Sequence, residues 1–305
     1  MRWYARHRRD LPWRARPGER AGAYRVWISE IMLQQTRVTA AAPYFARFLQ
    51  RFPDANALAE ADLDAVLAAW SGLGYYRRAR YLHAAARQIV DRHGGRFPLA
   101  WAAARALPGI GDYTAAAVLS IAAGQPHAAV DGNGLRIARR LTARPLTLAE
   151  ARPFWQAALS RRSPGAFNQA LMDLGSLVCL PRAPRCSACP LRAVCRTRGA
   201  GPSAPRPAPR RVVEHYGWAQ RRGRIWMVQR SAQAGQLAGL WELPPAPAEA
   251  PLLLSLSHAI TNRRITAHVR VLERPSGEGQ WMASRERASV PLTGLTKKIL
   301  RALRP

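Results

Sequence analysis

A chain of 305 residues with 48% hydrophobic content can bury a substantial core and divides naturally into two domains. No run of about 18 apolar residues occurs, and the opening MRWYARHRRDLPWR has no apolar stretch, which argues against membrane insertion and export and for a cytoplasmic protein. The formal net charge of +29 favours a polyanionic partner such as nucleic acid, but Lys297 and Lys298 are the only lysines among 47 basic residues, so part of the excess reflects an arginine-rich composition.

From residue 24 to residue 178 apolar positions recur at three- and four-residue spacing between short Gly/Pro breaks. This predicts helices over 24–34, 37–50, 61–70, 75–92, 100–106, 112–123, 134–141, 150–160 and 165–178. Between two of them, Leu107-Pro108-Gly109-Ile110-Gly111-Asp112-Tyr113-Thr114 has the form of a helix-hairpin-helix turn. Its glycines, Gly109 and Gly111, permit a tight positive-φ turn and leave backbone N–H groups uncovered at a helix N-terminus, where a phosphate binds well. Residues 199–211 hold four prolines and little that packs, so they read as a linker between a domain over 1–198 and a second over 212–305. Beyond the linker the period changes to two, predicting strands over 212–220, 224–230, 252–257 and 265–272 and a closing helix over 292–303.

All four cysteines fall within residues 179–195, as Cys179, Cys186, Cys189 and Cys195 in the spacing C-x6-C-x2-C-x5-C. Four thiolates so close in sequence suit one soft metal centre, either a tetrahedral zinc or a [4Fe–4S] cluster. Zinc sites usually combine two short Cys-x2-Cys knuckles, and only Cys186/Cys189 is of that kind, so the spacing favours the cluster. A pair of disulfides fits poorly in a chain of this size without a secretory signal.

The hairpin followed by this cysteine loop resembles the endonuclease III superfamily of helix-hairpin-helix DNA glycosylases, and within it the adenine DNA glycosylase (MutY) family. The resemblance spans nearly all of 1–198. It rests on Leu11-Pro12-Trp13-Arg14, Ser29-Glu30-Ile31-Met32-Leu33-Gln34-Gln35-Thr36, Gly72-Leu73-Gly74-Tyr75-Tyr76, the hairpin, Ala129-Val130-Asp131-Gly132-Asn133 and 166–175, AFNQALMDLG. It implies a multidomain protein: an all-α glycosylase domain with a [4Fe–4S] cluster loop, then a small α+β Nudix-like domain that reads the opposite base. The implied activity is monofunctional removal of adenine mispaired with 8-oxoguanine or guanine from double-stranded DNA in base excision repair. The expected protein is a monomer associated with the nucleoid.

Glu30 has Val26 and Leu33 on its own helix face, so desolvation should raise its pKa and make it a general acid. By resemblance it protonates the departing adenine at N7. Asp131 stands where a helix starts and could serve only as an N-cap, but the matching family residue stabilises positive charge at C1′ of the sugar, with Asn133 orienting it. Gly134 replaces the usual apolar residue there, an expected loosening of the first helical turn. Bifunctional relatives carry lysine where Tyr113 stands, and tyrosine forms no Schiff base. The resemblance further implies that Gln35 and Tyr75 wedge into the base stack, that Thr36 contacts the opposite base and that Arg14 and Gln169 line the adenine pocket.

The second domain departs most from the pattern. Leu237-Ala238-Gly239-Leu240-Trp241-Glu242-Leu243-Pro244 is similar to a Nudix-like segment, but the acidic hydrolase helix is absent and only 13 residues separate Pro244 from His258. The loop that senses 8-oxoguanine reads Ile260-Thr261-Asn262, with Thr261 keeping a hydroxyl, so reduced discrimination for 8-oxoguanine is expected. Two rivals stand beside the adenine reading: a mismatch thymine or uracil glycosylase of the same superfamily, and a non-catalytic iron–sulfur DNA-binding protein.

Overall fold

Asp131, Thr147 and Pro164 each mark a helix start, and Gly124 a helix end, in the computed structural model. It describes residues 1–16, 19–199, 208–231, 233–234, 237–260 and 262–303. Most of the expected linker and Thr261 lie outside the described residues. The chain falls into two compact units, one drawn from Met1–Glu60 and Tyr81–Ala204, the other from Ala61–Arg80 and Pro205–Pro305.

The elements of the helical part are α1 (Arg2–His7), α2 (Ala23–Leu33), α3 (Val38–Arg51), α4 (Ala55–Glu60), α5 (Leu63–Trp70), α6 (Arg77–His93), α7 (Trp101–Arg105), α8 (Asp112–Ala123), α9 (Gly132–Thr142), α10 (Leu148–Ala158) and α11 (Pro164–Leu177). Helices α1 and α4 are additions to the sequence reading; at 6 residues each they are too short to show a helical period. Helix α9 starts before the expected residue 134 because the Asp131 carboxylate accepts from the Asn133 and Gly134 N–H groups. Helix α10 opens on a capping box, Thr147 with Glu150.

Helix α8 organises the first unit. Thr114 through Ser120 are all buried, so this helix is enclosed on every side rather than amphipathic. Gly165 lets α11 approach it closely: a Cβ added there would stand 2.6 Å from the Ser120 carbonyl and 2.7 Å from Ile121 Cα. Fully buried Asn168 then ties three elements together, accepting from Ala129 N (3.0 Å) and donating to Ser120 Oγ (2.8 Å) and the His127 carbonyl (2.8 Å). That network holds the extended segment leading into Asp131.

The second unit has two small sheets. In one, β1 (Arg210–Trp218) pairs parallel with β6 (Arg263–Val271), which pairs antiparallel with β5 (Leu252–Ile260). In the other, β3 (Arg224–Gln229) pairs antiparallel with β2 (Gln220–Arg221), β4 (Trp241–Glu242) and β7 (Gln280–Met282). Helices α12 (Ser284–Ser289) and α13 (Gly294–Leu303) complete it around a core that includes Ile225, Met227, Ile265, Val269, Leu295 and Ile299. The 61–80 segment, which the sequence reading counts with the helical domain, packs here: Ser71 Oγ (3.1 Å) and the Tyr76 hydroxyl (3.4 Å) donate to the Leu292 carbonyl. Strands β2, β4 and β7 have 2 or 3 residues and show no alternation to read. Among the described residues no helix is long and apolar enough to cross a membrane.

The α8–α11 contact is testable by Gly165→Ala. Backbone faces the added methyl, so nothing flexible can yield, and overpacking should cost about 1–3 kcal/mol. Differential scanning fluorimetry should show a melting temperature lowered by several degrees; an unchanged value would mean that the two helices do not touch as described.

Candidate active site

Helix α2 carries Glu30 into the interior, where it is 6% exposed beside buried Val26. Burial pushes its carboxyl up to about 7; the Tyr113 hydroxyl and Arg14 oppose the rise and the charge of Asp131 adds to it. Burial and the Glu30 charge in turn keep the Tyr113 hydroxyl protonated. A carboxyl group half protonated near neutrality can give a proton and survive the loss of it.

Glu30 faces a cavity of about 190 Å³ whose walls include Arg14, Thr36, Tyr113, Asp131, Asn133 and Gln169. Drug-sized sites run to roughly 300 Å³ and more, so this one suits a single ring system. Seven of the residues singled out in the sequence therefore meet in one place, although they come from α2, α8, α9, α11 and two loops.

Asp131 is both the α9 N-cap and a wall of this cavity. Its Oδ1 accepts from Asn133 N (2.9 Å) and Gly134 N (2.8 Å), and its Oδ2 from Asn133 Nδ2 (2.9 Å). Asn133 is held in its turn by Arg136, which donates to Asn133 Oδ1 (2.8 Å), the Gly175 carbonyl (2.7 Å) and the Cys179 carbonyl (2.9 Å). The cysteine loop is thus linked to the cavity carboxylate through two side chains. The expected loosening at Gly134 is not seen in these contacts: its N–H bonds Asp131 and its carbonyl accepts from Trp155 Nε1 (2.9 Å).

Arg14 does not hang free in the cavity. It clasps Asp173, Nη1 to Oδ2 at 2.7 Å and Nη2 to Oδ1 at 2.8 Å, and Arg9 Nε adds a bond to Oδ1 at 2.7 Å. Asp173 has 0% exposure; burial alone would raise its pKa, but the bonds and charges of Arg14 and Arg9 outweigh burial and hold it below the usual value. The Tyr4 hydroxyl donates to Gln169 Oε1 at 3.2 Å. Tyr4, Arg9, Arg136, Asn168 and Asp173 carry no role in the sequence reading. Asn168 and Asp173 lie inside the AFNQALMDLG stretch, yet their partners are distant in the chain.

The hairpin needs its two glycines for different reasons. Gly109 has φ +75° and a Cβ there would come within 2.8 Å of Tyr81 Cβ, whereas Gly111 has φ −89° and open space around it. The expectation of positive φ at both is corrected: Gly111 is the α8 N-cap and its lack of a side chain only leaves backbone uncovered. Gln35 (φ +58°) and Tyr75 (φ +50°) hold left-handed backbone unusual for non-glycine residues. Such strain concentrates at functional positions. Neither lines the cavity; Tyr75 is 42% exposed on the second unit.

The four cysteines are unpaired, half-buried thiols on a loop with 3₁₀ turns at Cys186–Ala188 and Arg192–Val194. Buried Arg140 donates to Cys179 Sγ (3.2 Å) and to the Leu180 and Pro181 carbonyls. Burial pushes the Cys189 thiol up, and the charges of Cys179, Cys195 and Cys186 add to this, so the four sulfurs sense one another and gain from a cationic group among them. Among the described residues no three His, Cys, Asp or Glu side chains draw together as one metal ion demands. Four thiols on one loop are a donor set of the kind that takes a soft metal centre.

The family described as HhH-GPD superfamily base excision DNA repair protein matches residues 28–148, from α2 through the hairpin and Asp131 into α10. The adenine DNA glycosylase of Mus musculus is 44% identical over 207 residues, covering 64% of this chain and 40% of that protein. That of Arabidopsis thaliana is 36% identical over 290 residues, covering 79% and 46%. The chain thus spans less than half the length of either relative. Among solved structures, a thermostable thymine-DNA glycosylase superposes with a TM-score of 0.60 at 27% identity, covering 65% of this chain and 92% of that one. The matched region holds Glu30, the hairpin and Asp131, so over residues 28–148 the chain is similar to the HhH-GPD superfamily of base excision DNA repair proteins.

Proposed function

We propose that the chain is an adenine DNA glycosylase, hydrolysing the N-glycosidic bond of adenine mispaired with 8-oxoguanine or guanine in double-stranded DNA. The observation that carries this is a buried Glu30 of pKa about 7 sharing a base-sized cavity with the Asp131 carboxylate. Adenine leaves only when protonated, and Glu30 is placed to give that proton. As the bond to C1′ stretches, the sugar gains oxocarbenium character, and Asp131, fixed by three hydrogen bonds, supplies the compensating negative charge before water adds. Two carboxyl groups in different environments divide the work.

Tyr113 stands against Glu30 and offers no amine, so the reaction ends at an abasic site without a Schiff base or strand cleavage. The base must leave the stack at a cost of a few kcal/mol. The strained Gln35 and Tyr75 are the wedges that fill the gap, with Thr36 towards the opposite base. The Gly109/Gly111 hairpin holds a phosphate on the α8 N-terminus. Cys179, Cys186, Cys189 and Cys195 hold a [4Fe–4S] cluster, which when bound gives this loop a fixed shape. The domain of residues 212–305 is Nudix-like without hydrolase chemistry, and with Ile260-Thr261-Asn262 in its sensing loop it prefers 8-oxoguanine over guanine only weakly.

One observation favours a second reading, removal of thymine or uracil from mismatches: the thymine-DNA glycosylase likeness covers 92% of that chain. Single-turnover incubation with A opposite 8-oxoguanine, A opposite guanine and T opposite guanine, each developed with and without alkali, separates the two. Breaks appearing only after alkali and only in the A duplexes support the adenine reading; release of thymine alone overturns it.

Glu30→Gln should slow adenine release by at least about 100-fold while DNA binding persists, because the neutral amide cannot transfer a proton. For the unaltered protein the acid form of Glu30 is half populated near pH 7. The single-turnover rate should therefore be level at lower pH and fall about tenfold per unit above neutrality. A rate indifferent to pH between 6 and 9, each value being about one unit from the turning point or more, would remove Glu30 as the acid.

Anaerobically purified protein should contain about four irons and four sulfides per chain with a broad visible absorption band, both lost in Cys189→Ser. One zinc and no visible band would replace the cluster with a single ion.

A further inference from the structure

Helix α1 buries one residue, Tyr4, which is 6% exposed and lies outside the cavity lining. Its ring packs beneath the Arg14 guanidinium, 5.9 Å from the ring centre, and its hydroxyl donates to Gln169 Oε1 at 3.2 Å. Arg14 is itself locked by Asp173. Arg14 and Gln169, two of the polar side chains lining the cavity, are therefore held from behind by residues outside that lining.

The consequence is sharpest for Gln169. A carboxamide has an acceptor end and a donor end of nearly the same size, and a half turn exchanges them. The 6-aminopurine edge offers an acceptor at N1 and a donor at N6. A 6-oxopurine offers the reverse, a donor at N1 and an acceptor at O6. With Oε1 occupied, the amide turns its Nε2 donors to the base: at N1 they pair with the acceptor of adenine and meet a like donor in the N1–H of a 6-oxopurine. A site that leaves buried polar groups unpaired rejects the mismatched base strongly.

Resting on the adenine glycosylase reading, we propose that Tyr4 is a specificity-determining positioning residue: by donating to Gln169 Oε1 it fixes the amide in the orientation that accepts adenine and refuses 6-oxopurines. Burial raises the Tyr4 pKa, so the hydroxyl remains a donor across the working range. Tyr4→Phe keeps the ring under Arg14 and removes only the hydrogen bond.

The test compares single-turnover release of adenine and of hypoxanthine, each opposite 8-oxoguanine, by the unaltered full chain, Tyr4→Phe, Gln169→Ala and the double variant. Tyr4→Phe is expected to raise the hypoxanthine-to-adenine rate ratio roughly tenfold, the scale of one hydrogen bond, with the pH profile of adenine release unmoved. In the Gln169→Ala background the same change should leave the ratio where it was, since Tyr4 acts through Gln169. A merely structural role would slow both bases alike and leave the ratio fixed. An unchanged ratio in Tyr4→Phe, or an equal rise in the Gln169→Ala background, overturns the proposal while adenine release by the unaltered chain still upholds the glycosylase reading. Failure of the unaltered chain to release adenine overturns both.

Discussion

Burying a carboxyl group without paying out its charge to a partner is costly, and the first unit buries two of them with opposite solutions. Asp173 receives Arg9 and Arg14 and is held as a carboxylate below its usual pKa. Glu30 has only Tyr113 and a more distant Arg14 to set against desolvation and Asp131, and rises to about 7. The signs for stability differ accordingly. The depressed Asp173 contributes stability above its unfolded pKa and loses it as pH falls through the folded value. The raised Glu30 binds its proton more tightly in the fold, so its ionisation costs stability progressively as pH rises from the unfolded value through about 7. A fold built only for stability would have given Glu30 a guanidinium; that this one gives Arg14 to Asp173 keeps an acid available at neutral pH.

How much of this was readable in the chain depends on the distance over which each signal acts. The long helices follow from local periodicity and caps, and α8 is bounded as expected by the hairpin and Gly124. Asp131 as an N-cap was equally local. The short β2, β4 and β7 have no period of their own and exist only because β3 pairs with them. Tyr4 and Gln169 are 165 positions apart, and Arg14 and Asp173 are 159 apart. No spacing rule reaches that far. The Asp173 position could be seen in the sequence as part of a motif, but its reason for being there could not.

The same long-range logic joins the cysteine loop to the cavity. Arg136 grips the Cys179 carbonyl with one face of its guanidinium and Asn133 with another, and Asn133 completes the hydrogen bonding of Asp131. Gly175 makes room for this: a Cβ there would come within 2.6 Å of Asn133 Cβ. The cysteine loop therefore bears on the carboxylate through a chain of direct bonds, and the cavity geometry depends on residues that never line it.

The hairpin places an acid beside the proposed phosphate site. Asp112 begins α8, where its charge complements the helix dipole but would repel a phosphate. Arg105 and Arg152 both pair with it, and Arg105 also donates to the Ile110 carbonyl in the turn itself at 2.6 Å. These partly exposed pairs contribute little to stability, typically about 0–1 kcal/mol each. Their effect is on the field: two guanidiniums against one carboxylate leave the turn cationic, and the carboxylate holds both arginines close to the uncovered N–H groups at Gly111. The acid thus works as an anchor for positive charge, so that the turn stays cationic while its most local residue is negative, as the proposed phosphate contact requires.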